Sequence, residues 1–381
     1  MPIRLASSSA VVEALKSAGG GRSIAESIAR RGAEQQASEE RERIALHDSP
    51  GVASIVAAVD RRFGRVRLAE RYDMRTVARD RARVHVITQP CGVRLPVLAD
   101  HGSARRALLS LLEIVPGVGP VTAKRLRAGG VTSVEALGAV ERFAQLVAAI
   151  CGEWDEADLV GICDRLQDRL AGRGHLLAAL VAGCVELDEL VFLDLETLGL
   201  AGNAIFLCGV GSFRGGCFVV DQYLAPGYAD EAAMLAIVAE AVGGRRVLLT
   251  YNGRTADATW LRARSFFHGL PPMPEVAHVD LFYGTRRRFV VDEPVLASAR
   301  LPVVQHQLLR MARPGYDVPS WAVPELYQHY VQTGREGLLV PVLDHNRSDL
   351  EALVLLLERL GAEALASCAP SGVDTASEAR P

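Results

Sequence analysis

Two acidic side chains one residue apart close an apolar stretch in the middle of the chain. Asp194 and Glu196 follow Val191-Phe192-Leu193, and Gly199 comes shortly afterwards. Successive side chains of a strand point to opposite faces, so a strand here places both carboxylates on one face, next to a turn that glycine permits. Two carboxylates so placed can hold a metal ion. The alternative is a strand end whose acids cap the following turn.

Three further side chains downstream can complete such a site. His345 and Asp349 lie four residues apart at the start of a predicted helix, so they share one face, and Asp257 follows Asn252-Gly253. Four carboxylates and one imidazole are the groups that a two-metal phosphodiesterase uses. Each signal also has a plainer interpretation, because His345 and Asp349 could be an ordinary helix-surface pair and Asp257 a helix N-cap.

The stretches around these acids predict a mixed sheet with helices on its faces. Apolar and β-branched runs predict the strands, and helical periodicity predicts the helices. A strand meander followed by alternating helices and strands is typical of an α/β fold. The predicted strands are 190–196, 204–211, 217–223, 247–251 and 278–281, and the predicted helices span about 229–242, 256–267 and 346–361.

A second group of residues lies earlier in the chain. Pro116-Gly117-Val118-Gly119-Pro120 interrupts a helical apolar period, and Lys124 and Arg125 follow. Glycines let the backbone approach a phosphate, and the next helix offers free N–H groups at the positive end of its dipole. The basic side chains add salt-sensitive attraction, so we predict contacts to a nucleic-acid backbone rather than to base edges. A helical turn used for packing or protein contacts is the alternative.

Composition and charge narrow the class of protein. The net charge is -3, yet nine arginines face only three acids between Arg61 and Arg83, which favours a polyanion-binding surface there. The seven cysteines form no C-x-x-C pair, so we interpret them as mostly buried small hydrophobes in a reducing compartment. No long apolar run or signal-like start is present, so we expect a cytoplasmic protein without a membrane partner. The oligomeric state does not follow from the sequence.

The chain divides by composition into six predicted segments. The first is rich in small and charged residues without a sustained apolar face, and the last has the composition of a disordered tail. In order they are a mobile arm at 1–50, a basic accessory region at 51–105, a nucleic-acid-binding helical region at 106–150, a helical connector at 151–186, a catalytic domain at 187–363 and a tail at 364–381.

Several motifs, taken in this order, resemble a known group of enzymes. Residues 188–362 are similar to the YprB-type ribonuclease H-like domain of the DEDD exonuclease superfamily, and residues 114–137 resemble a helix-hairpin-helix motif. Gln305 stands where the YprB-type pattern is expected to carry Glu. The motifs that carry the first resemblance are Phe192–Gly199, Tyr251–Arg254 with Asp257, Leu261 and Arg264, His278–Leu281, and His345-Asn346 with Asp349-Leu350.

The resemblance implies a fold and a reaction. It implies an α/β, ribonuclease H-like domain with a mixed five-stranded sheet flanked by helices, preceded by a small helix-hairpin-helix region. It also implies a metal-dependent nuclease, a 3′→5′ exonuclease that acts on DNA rather than RNA. A structure-specific endonuclease and a non-catalytic nucleic-acid-binding adaptor are the alternatives. Intact Asp194, Glu196, Asp257 and Asp349 argue against the adaptor.

The same resemblance assigns roles to individual residues. Asp194 would bridge two Mg²⁺ or Mn²⁺ ions, Glu196 and Asp349 would complete the shell of the first ion, and Asp257 would hold the second. His345 would be the general base, a role for which an imidazole suits because it titrates near neutral pH. Asp280 could be an auxiliary acid, with a structural role at its strand end as the alternative. The residues expected to contact nucleic acid are Gly117, Gly119, Lys124, Arg125 and Asn252.

Overall fold

The computed structural model describes residues 51–79, 81–199, 203–311 and 318–368. The chain divides into two compact units, Met1–Ala58 and Val59–Pro381. Of the first unit only residues 51–58 are described, within helix α1 (Gly51–Phe63). The predicted mobile arm, 1–50, therefore lies outside the described residues. Within the described ranges, no helix is long and apolar enough to cross a membrane.

The segment between the first strands and the catalytic region is helical, as predicted for the hairpin region and the connector. Side chains cap several of its helices; the Asp100 and Asp158 carboxylates each accept a backbone N–H bond of 2.9 Å, from Ser103 and Gly161. The α-helices are α2 (Leu68–Arg71), α3 (His101–Leu109), α4 (Pro120–Ala128), α5 (Val134–Leu137), α6 (Ala144–Asp155), α7 (Leu159–Arg169) and α8 (Ala171–Leu177). Short 3-10 helices occupy Leu112–Ile114, Glu141–Phe143, Ala178–Cys184 and Leu187–Glu189.

The described residues form one seven-stranded mixed sheet, and five of its strands lie in the predicted catalytic domain at 187–363. The additional strands come from the basic accessory region, whose β1–β2 hairpin pairs with β5 and extends the sheet. Strand β2 continues through Cys91. The strands are β1 (Asp73–Arg79), β2 (Ala82–Cys91), β3 (Leu190–Thr197), β4 (Ile205–Arg214), β5 (Cys217–Leu224), β6 (Val247–Thr250) and β7 (Ala277–Asp280).

Strand β3 lies between an antiparallel neighbour and a parallel one. The strand order is β1-β2-β5-β4-β3-β6-β7; β4 pairs with β3 antiparallel, and β6 and β7 continue in parallel. The parallel strands need crossover helices, which α9 (Glu231–Val242) and α10 (Asp257–Phe267) supply. The carboxyl end of β3 is consequently close to the amino end of α10.

The long final helix covers one face of this sheet. Helix α14 (Val340–Cys368) starts earlier and ends later than the predicted 346–361, so residues 364–368 are helix and not tail. Residues from 369 onwards lie outside the described part. Between β7 and α14 lie α11 (Leu281–Arg286), α12 (Leu301–Val303) and α13 (Val323–Thr333), with π-helices at Arg287–Asp292 and Val304–Leu308 and 3-10 helices at Ser320–Ala322 and Glu336–Leu339. Another 3-10 helix, Tyr228–Asp230, precedes α9.

Alternate residues of β3 enter two different apolar cores, as the strand period requires. Leu190 and Phe192 pack in the core that contains Leu353 of α14. Val191, Leu193 and Leu195 pack in the other, which contains Val238 of α9 and Leu261 of α10. Asp194 and Glu196 share the parity of Phe192, so β3 directs both carboxylates towards the face that α14 covers.

Candidate active site

Asp194 and Glu196 lie at the end of β3, where the buried part of the strand gives way to partly exposed residues. Asp194 pairs across the sheet with Gly209 of β4, and Glu196 pairs with Leu207. The register shifts immediately after Glu196, between Glu196 and Thr197. A bulge of this kind bends a strand and ends regular pairing, and such bulges are common beside functional sites.

The first turns of α14 bring three polar side chains to the same place. His345 and Asn346 are buried, and Asp349 is partly exposed. The His345 imidazole lies on Asp349, with Nε2 3.5 Å from Oδ2, as the four-residue helical spacing predicts. Asn346 Nδ2 donates to Asp194 Oδ2 at 2.7 Å and to the Asp194 carbonyl at 3.2 Å. Asn346 thereby joins the helix group to the strand group.

Asp257 is the first residue of α10 and is buried, with 7% of the residue exposed. Ala256, and not Asp257, is the N-cap of this helix, so the N-cap alternative is wrong. Hydrogen bonds from the backbones of Asp257 and Leu195 stabilise the charged carboxylate. Leu195 lies between Asp194 and Glu196 in β3. Its hydrogen bond with the Asp257 carboxylate therefore places Asp257 beside the two acids of that strand.

The carboxylates influence each other's charge. Burial raises the pKa of Asp194 well above its ordinary value, and the charges of Asp349, Glu196 and Asp257 raise it further, against the Asn346 hydrogen bond. Burial also raises the pKa of Glu196 to about 7, with Asp349 and Asp257 adding and His345 opposing. The pKa of Asp257 rises to about 7, chiefly through burial, with Asp280 and Asp349 contributing. The predicted four acids are therefore electrostatic neighbours.

These donors fit a hard divalent cation by chemistry and charge. Carboxylate oxygens are the ligands that Mg²⁺ and Mn²⁺ prefer, and a cation would relieve the repulsion that raises the pKa values. In the described part of the chain, however, no three histidine, cysteine, aspartate or glutamate side chains converge into a group that could hold a metal ion. Charge interactions extend further than coordination bonds. The carboxylates are thus close enough to raise one another's pKa values, but they are not gathered at coordination distance around one point.

Two buried glutamines are linked to the carboxylates, one directly and one through Asn346, and neither was predicted to have a role. Gln305, in the π-helix Val304–Leu308, donates from Nε2 to Asp349 Oδ1 at 2.8 Å. Gln222 of β5 donates from Nε2 to Asn346 Oδ1 at 2.9 Å. A polar Asp221-Gln222 pair between apolar residues of a strand, and a glycine at 209 inside another strand, were the available signals.

Asn252 and Asp280 shape the turn between β6 and α10. Asp280 is buried, and its carboxylate accepts backbone N–H bonds from Asn252, Arg254 and Phe282 at 2.8, 2.9 and 3.1 Å. These contacts give Asp280 a structural role at the end of its strand. Asn252 has φ of 63°, a left-handed conformation that asparagine tolerates, and its Oδ1 accepts from the Thr255 hydroxyl at 2.9 Å. The structure thus assigns Asn252 to the turn.

The two glycines of the hairpin before α4 are exposed, whereas Val118 between them is buried. Gly117 has φ of 84°, which favours glycine, and Gly119 is the N-cap of α4 with no capping side chain. A Cβ added to Gly119 would have no heavy atom within 4 Å. Lys124 and Arg125 are exposed, and neither forms an ion pair with another of the described residues. Packing therefore does not explain Gly119.

The cysteines carry no cross-link. All seven are free; Cys163, Cys184 and Cys208 are buried and Cys217 is exposed, with the other three between these extremes. The interpretation as buried small hydrophobes thus applies fully to only three of them.

One comparison with known proteins bears on this arrangement. Residues 191–361 match the family model RNase_H_2 of the RNase H superfamily, a stretch that begins within β3 and ends within α14. The matched stretch spans just under half of the chain and contains Asp194, Glu196, Asp257, His345 and Asp349. The match, the mixed sheet and its flanking helices support an RNase H-like fold for residues 191–361, and a domain of this superfamily suggests a nuclease-like function and nucleic-acid binding.

Proposed function

We propose that this protein is a metal-dependent nuclease that hydrolyses phosphodiesters by a two-metal mechanism, as a 3′→5′ exonuclease on DNA. The observation that carries the proposal is the hydrogen bond by which Asn346 joins Asp194 of β3 to the His345–Asp349 pair of α14. The charge of Asp349 also raises the pKa values of Asp194, Glu196 and Asp257, which places the acids of β3, α10 and α14 near one another. Structural carboxylates are usually paired with cations or backbone donors, because uncompensated repulsion destabilises the folded state. Crowded acids of this kind are typical of catalytic sites.

Each side chain has a distinct task in this proposal. Asp194, Glu196, Asp257 and Asp349 would hold two Mg²⁺ or Mn²⁺ ions. Bound there, the ions would stabilise the charge on the entering and leaving oxygens of the phosphodiester. His345, fixed beside Asp349 by a 3.5 Å contact, would take the proton from the attacking water. Asp349 would orient that imidazole as well as bind metal.

The hairpin before α4 would hold the nucleic-acid backbone outside the catalytic domain. Gly119 leaves the first N–H groups of α4 open to a phosphate, and Lys124 and Arg125 lie exposed on the same helix. Contacts of this type read the backbone and not the bases, so we expect binding to be independent of sequence.

The test is digestion of end-labelled single-stranded and double-stranded DNA and RNA with Mg²⁺, Mn²⁺ or EDTA. We expect shortening from the 3′ end in the presence of either ion and none in EDTA. Asp194→Asn should abolish cleavage because it removes a negative charge without removing volume. Asp188→Asn, an exposed acid just before β3, is the matched control and should cleave like the parent.

The outcomes separate the alternatives. Cleavage of circular single-stranded DNA would indicate an endonuclease instead of an exonuclease. Nucleic-acid binding without hydrolysis under any metal would indicate an adaptor. Mg²⁺-dependent turnover that persists in a folded Asp194→Asn protein would refute the assigned site.

A further inference from the structure

Three residues form one row across the centre of the sheet. Asp194 of β3 pairs with Gly209 of β4, and Gly209 pairs with Gln222 of β5. The middle position of the row has no side chain. The Asn346 amide occupies that space, because a Cβ added to Gly209 would lie 2.8 Å from both Cγ and Nδ2 of Asn346 and would collide with its Oδ1. Asn346 therefore bridges Asp194 and Gln222 across the glycine.

The direction of every hydrogen bond in this bridge is determined by one carbonyl. The Leu343 carbonyl can only accept, so it requires the Nε2 of Gln222, at 2.8 Å, to face α14. The second hydrogen of that nitrogen goes to Asn346 Oδ1 at 2.9 Å. The Asn346 Nδ2 must then face Asp194, to which it donates at 2.7 Å. An inverted Asn346 amide would set two donors against each other on the Gln222 side and two acceptors against each other on the Asp194 side.

The bridge continues outwards to the accessory hairpin. Gln222 Oε1 accepts from Gln89 Nε2 of β2 at 2.7 Å. Gln222 and Asn346 are fully buried, so each lost bond would leave a polar group without water as a substitute partner. Gln89 is half-buried and lies in the β1–β2 hairpin, which pairs with β5 at the edge of the RNase H-like domain. The row of hydrogen bonds thus runs from Gln89 through Gln222 and Asn346 to Asp194.

We propose that Gln222 and Asn346 are positioning residues that orient the Asp194 carboxylate, and that Gln89 couples the β1–β2 hairpin to this orientation. The hydrogen bond engages Oδ2 of Asp194 and fixes the plane of the carboxylate for a cation. Neither amide touches substrate in this arrangement; both act through Asp194. The inference rests on the proposed function in giving Asp194 a metal-binding role, but the hydrogen-bond order itself can be tested without metal.

Gln222→Met is the primary variant, because it keeps the length of the side chain, removes both donors and lies on a strand away from the acids. The matched control is Gln167→Met: Gln167 is also a buried glutamine, and its Nε2 donates to the His278 carbonyl at 3.0 Å and to Cys163 Sγ at 3.1 Å. Both variants lose a buried amide, but only the first one belongs to the bridge.

The first readout is exchange of the Asn346 side-chain amide hydrogens with solvent, measured by NMR on metal-free full-length protein. The Asn346 signal is identified by its absence in Asn346→Leu. We expect exchange to rise roughly tenfold in Gln222→Met, as for loss of a buried hydrogen bond, and to stay at the parent value in Gln167→Met. Parent-like exchange in a folded Gln222→Met protein would overturn the proposal.

The second readout is Mn²⁺ affinity by calorimetry, together with kcat and KM for DNA. Gln222→Met should weaken Mn²⁺ binding roughly 10–100-fold and lower kcat while KM for DNA holds, since partners behind metal ligands act at this scale. A Gln222→Met affinity equal to that of Gln167→Met would overturn the positioning role. If the parent itself binds no Mn²⁺, the proposed function fails, and the exchange result still decides the hydrogen-bond order.

Gln89→Met tests whether the β1–β2 hairpin is coupled to the orientation of Asp194 through Gln222. It also replaces Gln222→Met as the test variant if that protein does not fold. Its half-buried position makes the change mild, and it removes one bond from Gln222 Oε1. We expect Asn346 exchange to rise by a few-fold, roughly 2–5-fold, because Gln222 loses one of its anchors. No change in exchange would refute the coupling of the hairpin to Asp194.

Discussion

At the scale of single residues, the acids of the site ionise less readily than exposed carboxyl groups, because burial and neighbouring negative charges raise their pKa values. Burial and mutual repulsion raise the pKa values of Glu196 and Asp257 to about 7, from 4.5 and 3.8 respectively. A carboxylate with a raised folded-state pKa contributes stability that is complete below its unfolded-state pKa and is lost as the pH rises through the folded-state value. The metal-free protein should therefore lose stability between about pH 4 and about pH 7 from these groups.

A divalent cation should reverse this loss because it binds the ionised acids. We expect Mn²⁺ to raise the melting temperature more at about pH 8 than at about pH 5.5, since protons compete with the metal at the lower pH. In EDTA at the higher pH, Asp194→Asn should melt about 2 °C or more above the parent, the shift that roughly 1 kcal/mol produces in a domain of roughly 200 residues. Differential scanning calorimetry in both buffers measures these shifts.

The Asp188→Asn variant controls for loss of one negative charge at the surface. It should melt like the parent in EDTA and keep the full response to Mn²⁺. A metal response that is equal at both pH values would contradict the electrostatic description of the site, as would an Asp194→Asn protein less stable than the parent.

At the scale of elements, helix spacing and strand parity bring the site together. The first turns of α14 carry His345, Asn346 and Asp349, and β3 directs Asp194 and Glu196 towards this face. The π-helix that carries Gln305 holds Asp349 from the other side through a 2.8 Å hydrogen bond. Segments of π-helix are rare and occur often at functional sites, which agrees with this placement. A glutamate at position 305 would add a fifth acid, whereas glutamine adds a donor.

The glycine hairpin before α4 gives the prediction at this scale. Gly119→Val should fold normally, because Gly119 has φ of -92° and a Cβ there meets nothing within 4 Å. It should nevertheless weaken DNA binding, because the side chain would occupy the space of the phosphate. Lys124→Glu with Arg125→Glu should weaken binding to all sequences and lower the salt slope by roughly one unit per lost phosphate contact. Fluorescence anisotropy at several salt concentrations measures both.

Charge alone must be separated from position in that experiment. Arg169→Glu with Arg300→Glu changes the net charge equally at two exposed arginines outside the hairpin. This control should keep the affinity and slope of the parent. If Gly119→Val also binds like the parent, the hairpin is a packing or protein-contact element. Gly117 is the poorer test, because a side chain at φ of 84° strains the turn by itself.

At the scale of the whole molecule, the basic segment that precedes β1 is attached to the helix of the site. Leu68 is buried, and its backbone N–H donates to Glu336 Oε2 at 2.8 Å. Arg71 lies 3.7 Å from Asp344, to which the Tyr72 hydroxyl also donates at 3.3 Å. Asp344 immediately precedes His345. The arginine-rich segment between Arg61 and Arg83 therefore contacts the residue that directly precedes the candidate general base, His345.

Exposed arginines of this segment should take part in DNA capture. Arg65, Arg75 and Arg81 are exposed, and their replacement by Gln should lower DNA affinity and reduce the salt slope by up to about three units. Anisotropy titrations against salt measure the slope, and kcat at saturating DNA should remain near the parent value. Unchanged affinity and slope would show that this segment only stabilises the sheet edge, where charged side chains also prevent edge pairing.

Local chemistry made much of the catalytic region predictable from the sequence. The apolar run into Asp194 and Glu196 predicted a strand at 190–196, and the structure has one at Leu190–Thr197. The four-residue spacing of His345 and Asp349 predicted their contact. The helix predicted at 256–267 is present as Asp257–Phe267. These features depend on side-chain periodicity over a few residues, which the order of residues contains directly.

Tertiary structure alone decided how the site is held. The pairing of the accessory hairpin with β5 extends the five strands of the catalytic domain to a sheet of seven, because sheet partners are chosen by contacts between distant segments. Asn346 and Asp194 are 152 positions apart, and only packing of α14 over Gly209 brings the amide to the carboxylate. In the sequence, Gln222 is one of two polar residues, with Asp221, in a largely apolar strand. The two donors of its side chain find their acceptors only where α14 covers that strand, since a hydrogen-bond partner is a property of the folded chain.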